Sequence, residues 1–142
     1  ETQKLLHMMS PLNRRKVLAA QASGRVRVGT LYQRTRAGQQ RAEVRFDGIS
    51  GCLRTPAGGS SRQKILVVEG AQVRSRLLSA REAARLMGLP DSYWLPPRYN
   101  DAYHVAGDGV AVPVVAHLAR CLLEPLADAC NSYKASALRR AA

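Results

Sequence analysis

Acidic residues are scarce in this chain: 10 Asp and Glu stand against 22 Lys and Arg in 142 residues, a formal net charge of +12. Cysteine is also scarce, and its count is odd. Cys52, Cys121 and Cys130 form no paired framework, which excludes a disulfide scaffold and fits a reducing cytoplasm. No uninterrupted run of about 18 apolar residues occurs, so a membrane-spanning segment is not expected. The N-terminal Glu1–Met9 is too polar and too short for a signal peptide. Glu1 in place of an initiator Met points to a trimmed chain or a piece of a longer protein. Three histidines, His7, His104 and His117, lie in unrelated contexts, so no Ser–His–Asp arrangement is recoverable.

What is present is unevenly placed. Residues 1–78 hold 15 Lys and Arg against 4 Asp and Glu, whereas residues 79–142 hold 7 against 6. The positive charge therefore belongs to the first half, where arginine dominates. A guanidinium fork suits phosphate and guanine better than the point charge of lysine. A basic half beside a nearly neutral half is the footprint of a nucleic-acid-binding face on an ordinary scaffold. The hydrophobic content of 46% is enough for a modest core, in one domain or a piece of a larger one.

Hydropathy periods predict an α+β chain. Residues 2–9 have weak helical character, and Ser10–Pro11 starts a second helix that should stop before Gly24. From Arg25 the period changes to two, placing Arg25, Arg27, Leu31, Gln33 and Thr35 on one face of a strand. Ala37–Gly38 should turn it into a returning strand, Arg41–Phe46. Lys64–Val68 and Gln72–Leu77 form a second strand pair around Glu69–Gly70. Ser79-Ala-Arg-Glu82 is a capping box that opens a helix closed by Gly88. Residues 91–106 read as irregular. A very apolar helix should run from Val110 to about Leu123, buried on several sides, then kink or end at Pro125 and fray from Ala135.

The best binding candidate is the loop Gly51–Gln63. Its adjacent Gly58 and Gly59 let a ligand approach the backbone, and Thr55, Ser60 and Ser61 offer hydroxyls. Arg54 and Arg62 can each take guanine O6 and N7, worth roughly 1–3 kcal/mol of discrimination. With Gln63, and with Arg34 and Arg36 on the hairpin, these are the expected DNA-binding residues. The loop is not a phosphate-binding Walker loop, because no Gly-Lys-Ser/Thr follows. His117 and Cys121 have metal-ligand spacing, but two ligands on an apolar helix read as buried core.

Arg81-Glu-Ala-Ala-Arg-Leu-Met-Gly-Leu-Pro-Asp91 and Gly107-Asp-Gly-Val-Ala-Val-Pro-Val114, in this order and at this spacing, resemble the ninth and tenth sequence blocks of the DNA cytosine-5 methyltransferases. Tyr103-His-Val-Ala106 is similar to the family as well, and the likeness extends over roughly residues 45–125. The resemblance implies a small antiparallel target-recognition domain, residues 25–78, behind an N-terminal helical segment, 1–24. C-terminal helices within 79–130 would complete a Rossmann-like methyltransferase domain, followed by a tail, 131–142. It also implies that Arg76, Arg81, Glu82 and Arg85 organise the junction between the two, and that Gly107, Asp108, Gly109 and Val110 line an S-adenosylmethionine pocket. The family has Asn and Ser where this chain has Asp108 and Gly109, and an ionised Asp accepts but does not donate.

The family's catalytic blocks are absent. Cytosine-5 methylation needs a thiolate to attack C6 of a flipped base, placed after Pro, and no Pro-Cys occurs here. The Glu-Asn-Val block is missing. Phe46-Asp-Gly-Ile-Ser-Gly51 only imitates the Phe-x-Gly-x-Gly cofactor loop, and Gln33–Arg36 imitates the arginine block out of register. The expectation is therefore the recognition and C-terminal portion of such an enzyme, as found in restriction-modification systems. It would bind duplex DNA without methylating it and have the catalytic part as partner. The alternative is a stand-alone basic nucleic-acid-binding module, or a small subunit of a split enzyme. Burial of the Val110–Leu123 helix within this chain would favour independence; its exposure would favour a missing partner.

Overall fold

The computed structural model describes residues 1–55 and 62–141. The helices are α1 (Thr2–His7), α2 (Pro11–Ala22), α3 (Ala80–Leu86), α4 (Tyr99–Gly107), α5 (Val112–Leu118) and α6 (Glu124–Ala141). The strands are β1 (Arg27–Arg36), β2 (Gln39–Arg45), β3 (Lys64–Glu69) and β4 (Gln72–Leu77). The strands form one antiparallel sheet in the order β2-β1-β3-β4. The chain is thus α+β.

Strand alternation divides the core in two. Leu66 and Val68 of β3 join Leu31, Ala42 and Val44 beneath Leu5, Met9, Val17 and Ala20 of the N-terminal helical segment. Ile65, on the opposite face of β3, packs with Leu78, Ala83, Tyr103 and Ala106. The sheet is therefore covered by α1 and α2 on one face and by α3 and α4 on the other. Asn13 pins α2 to the sheet: its Oδ1 accepts from the amide of Val44 at 3.2 Å, and its Nδ2 donates to Ser10 at 3.1 Å.

The local signals operate as their chemistry requires. Ser10 caps α2 with Pro11 in the first turn. Ala37 and Gly38 both take positive φ, 49° and 73°, as a two-residue hairpin demands. Gly29 lies under the ring of Phe46, where an added Cβ would come within 2.6 Å of the Arg45 carbonyl. Ser79 and Glu82 form the full capping box, and Gly88 follows α3 at φ +80°. Arg76 grips Glu82 through two 2.8 Å hydrogen bonds. This grip, followed by the amide and hydroxyl of Ser79, holds the Glu82 carboxyl down at about 2. Arg85 makes the same fork on Asp91, at 2.6 and 2.8 Å.

Three expectations need correction. Within the stretch read as irregular, residues 99–107 are helix α4. Pro96 and Pro97 obscured its start, yet Tyr99, Ala102, Tyr103 and Ala106 recur at helical spacing; α4 buries the last three and packs Tyr99 against the same core. Pro125 does not stop the last helix, and the backbone stays helical to Ala141. Pro125 cannot donate to the Cys121 carbonyl, and a π turn at Ala119–Leu123 directly ahead widens the spacing to accommodate it. Finally, α5 and the π turn bury no residue, His117 and Cys121 included. An 18-residue window within Tyr99–Tyr133 has a mean hydropathy of 1.5 and no buried residue, so by length and composition alone the stretch suffices to cross a membrane. Counting only uninterrupted apolar runs hid this.

Glu82 has an ordinary pKa of 4.5 that folding lowers to about 2. Its contribution to stability is therefore complete above pH 4.5 and fades as pH falls from there toward 2. Glu82→Gln should cost about 1 kcal/mol at pH 7 and flatten the acid limb of stability in urea titrations at stepped pH. Ala37→Gly should stabilise by about 1 kcal/mol, because a Cβ at positive φ is strained; thermal melts of the pair measure it.

Candidate nucleic-acid and cofactor interface

The loop expected to read DNA leaves the sheet after β2 and returns into β3. Asp47 opens it, accepting from Arg45 and from the amide of Ile49. Both described flanks then meet α4. On the incoming side, the Thr55 hydroxyl donates to Asp108 Oδ1 at 2.7 Å. A Cβ added to Gly107 would lie 2.8 Å from the Thr55 nitrogen and 3.0 Å from the Arg54 carbonyl carbon, so only glycine permits this approach. On the outgoing side, Arg62 donates to Asn100 Oδ1 at 2.7 Å, with its guanidinium 5.4 Å from the centre of the Tyr99 ring.

Tyr103 lies between these flanks and is fully buried. Its hydroxyl accepts from the Gln63 amide at 3.3 Å, and burial raises its pKa. The Tyr99 hydroxyl donates to the Leu78 carbonyl at 2.8 Å, and its ring centre is 5.8 Å from that of Tyr103. Tyr99, Asn100 and Tyr103 were not among the expected site residues. Their helical spacing was the signal that could have found them.

The expected DNA-binding residues fare differently. Arg54 is exposed and Arg62 half-buried, and neither meets a carboxylate among the described residues. Thr55 is half-buried against α4. Arg34 lies 4.7 Å over the Tyr32 ring and 3.9 Å from Glu43 on the neighbouring strand. Arg36 ends β1 beside the hairpin turn. Gly58, Gly59, Ser60 and Ser61 lie outside the described residues. Gln63 departs from the expectation of an exposed reader. It is buried, and its side-chain amide donates to the carbonyls of Leu31 at 3.0 Å and Lys64 at 3.4 Å.

The expected cofactor residues form one turn. Gly107 is the last residue of α4, Asp108 caps it, and Asp108, Gly109 and Val110 are exposed. A Cβ on Gly109 would meet the Val105 carbonyl at 2.8 Å, so this position also requires glycine. An exposed valine beside an acceptor-only carboxylate fits one wall of a pocket for a ligand with an apolar ring face and N–H donors. Arg81 donates to the Tyr93 carbonyl at 2.9 Å; with the Arg76 and Arg85 forks it fastens the segments around α3.

Comparisons with known proteins identify the family. The family model for C-5 cytosine-specific DNA methylase matches residues 8–124, and the chain belongs to that family. Over 97 residues, 58% of the chain, it is 33% identical to the type II methyltransferase M.HpaII of Haemophilus parainfluenzae, covering 26% of that protein. It is 36% identical to the type II methyltransferase M1.ScrFI of Lactococcus lactis subsp. cremoris over 61 residues, 43% of the chain and 16% of the relative. It is 46% identical to M.HgiCI of Herpetosiphon aurantiacus over 56 residues, 39% of the chain and 13% of the relative. The chain thus spans about a quarter or less of the length of these relatives. No solved structure matches it.

Tyr103→Phe removes the acceptor for the buried Gln63 amide. It should lower stability by about 1–3 kcal/mol and speed hydrogen exchange at Gln63 more than at Val68, as read by urea titration and amide exchange.

Proposed function

We propose that this chain is the target-recognition and C-terminal portion of a DNA cytosine-5 methyltransferase, acting on duplex DNA together with the catalytic part of the enzyme, on the same or a separate chain. Residues 25–78 are the recognition unit, and α5 with the start of α6 completes the Rossmann-like domain of the catalytic part. The chain alone binds duplex DNA and does not methylate it. Its three cysteines follow Gly51, Arg120 and Ala129, so the thiolate preceded by Pro belongs elsewhere in the enzyme.

The observation that carries this reading is the exposure of α5 and the π turn. Val112, Val114, Val115, Leu118, Leu122 and Leu123 are each 40–57% exposed. A self-sufficient module does not leave such a surface open, because each apolar side chain left in water forgoes roughly 1.5–3 kcal/mol of burial. A bilayer would cover it less well. Arg120, Glu124 and Asp128 fall along the helix, and Arg or Asp at mid-bilayer costs about 2.5–3.5 kcal/mol. The sheet of a methyltransferase domain covers apolar residues while leaving such charges an outlet at its margin.

The chain's own residues then divide the work. Arg54 and Arg62, on the two flanks of one loop, meet the duplex, with Arg34 and Arg36 adding phosphate contacts from the hairpin. Gly107–Val110 forms one wall of the cofactor site. When bound, S-adenosylmethionine supplies the methyl group.

Mixing the purified chain with the separately expressed catalytic part, labelled S-adenosylmethionine and DNA should restore methyl transfer. Persistent inactivity, or partition of the chain into lipid vesicles instead, would overturn the reading. Leu118→Glu with Leu122→Glu should abolish that restoration while duplex binding by the chain stays within about twofold. Arg62→Ala should weaken duplex binding and change base preference. A uniform loss across DNA sequences, with the salt slope shallower by about 1, would make Arg62 a phosphate contact. Anisotropy titrations at several salt concentrations distinguish these outcomes.

A further inference from the structure

Thr55 and Asp108 come from two separately identified sites and are partners of each other. The carboxylate of Asp108 accepts only, so the 2.7 Å contact fixes Thr55 as the donor. While this bond stands, the one hydroxyl proton of Thr55 is unavailable to a phosphate oxygen, and one lobe of the Asp108 carboxylate is unavailable to a ligand N–H. Behind the bond the two backbones touch, since the Thr55 nitrogen would lie 2.8 Å from a Cβ on Gly107. Arg62 on Asn100 and the Gln63 amide on Tyr103 hold the other flank of the loop to the same helix. Loop and turn are fastened to one rigid element, and the Thr55–Asp108 bond links them directly.

On the basis of the function proposed above, we propose that the Thr55–Asp108 hydrogen bond couples DNA binding to cofactor binding with positive sign, each ligand releasing the residue that the other uses. A phosphate that takes the Thr55 proton frees Asp108 to accept from the cofactor. A cofactor that occupies Asp108 frees Thr55 to donate to the phosphate. The bond is broken by whichever ligand arrives first, and the second meets its partner already released. Linkage makes the effect reciprocal. Because the pair is solvent-exposed, the coupling belongs at the low end of the usual range, about 5- to 10-fold. Thr55 and Asp108 are ligand-contacting residues in this scheme, and the chain's Asp in place of the family's Asn gives the pair its fixed donor and acceptor.

The test uses the complete enzyme, this chain together with its catalytic part. Dissociation constants are measured for a mixed-sequence duplex with and without S-adenosylhomocysteine, and for S-adenosylhomocysteine with and without the duplex. The wild type should show the same factor, about 5- to 10-fold, in both directions. Thr55→Val should bring the factor to about 1, and Thr55→Ser, which keeps the donor, should retain it. Asp108→Ala should tighten duplex binding in the absence of S-adenosylhomocysteine toward the level the wild type reaches with it. Undiminished coupling in Thr55→Val, with both ligands still binding, would overturn the coupling and leave the functional reading standing. Failure of the wild-type enzyme to bind either ligand would overturn both.

Discussion

A phenol with no access to water must find its hydrogen-bond partner inside the protein, and Tyr103 finds it in the backbone of Gln63. That single requirement fixes the position of α4. The ring fills the space between the sheet and α3, alongside Ile65, Leu78 and Ala83. The hydroxyl then selects the residue just before β3, where the long loop re-enters the sheet. Gln63 is held from the other side as well, its side chain on the Leu31 carbonyl of β1 and its own carbonyl accepting from the Leu78 amide. One buried cluster of polar groups thus sets how β1, β3, the loop and α4 meet. No buried side-chain polar atom lacks a partner among the described residues, which is why the cluster stabilises the fold.

Legibility in the sequence followed the range of the interaction responsible. Ser10–Pro11, Ala37–Gly38 and Ser79–Glu82 act within four residues, and each appears where its chemistry puts it. The alternation of β1 is nearly as local, and β3 is a short apolar run whose two faces serve the two cores. The sheet and its antiparallel character followed from these signals. α4 did not, because Pro96, Pro97, Arg98 and three polar residues masked a stripe whose burial depends on the entry to β3, 40 residues earlier. Gln63 was misplaced for a related reason. In a loop of Gly, Ser and Arg it looks like another polar reader, and only the carbonyl of Leu31, 32 residues away, makes it part of the core.

The C-terminal helix shows the opposite failure. Its all-round apolarity reads as burial on several sides, and among the described residues nothing of this chain covers it. Composition reports that a surface avoids water; it does not say what covers it. The N-terminal end of this helix is nonetheless set by the chain itself. The Val112 amide donates to the Met87 carbonyl at 2.9 Å, and Pro113 lies against Gly88. The turn at Gly107–Ala111 is therefore held at both ends, by α4 before it and by α3 beside it. The exposed apolar surface thus leaves the described core from a defined point.

The ion pairs bear on where the positive charge can act. All four carboxylates of residues 1–78 are paired: Glu1 with Lys64, Glu43 with Arg34, Asp47 with Arg45, and Glu69 with Arg74. These pairs are largely exposed and contribute little stability. Their larger effect is on the field. Each cancels a cation on the sheet or at its end, while the Arg76 and Arg85 forks do the same at α3. The two flank arginines form no ion pair among the described residues, although the Asp108 carboxylate stands on the incoming flank, accepting from Thr55. Arg54 has no carboxylate among the described residues, and Arg62 is held by the neutral Asn100 and by a ring face that orients the charge without neutralising it. Other arginines of the first half, Arg25 and Arg41 among them, are equally free of ion pairs among the described residues, so charge alone does not select a position. At the loop flanks unpaired arginines coincide with the fastening to α4, so charge and geometric definition arrive at the same residues.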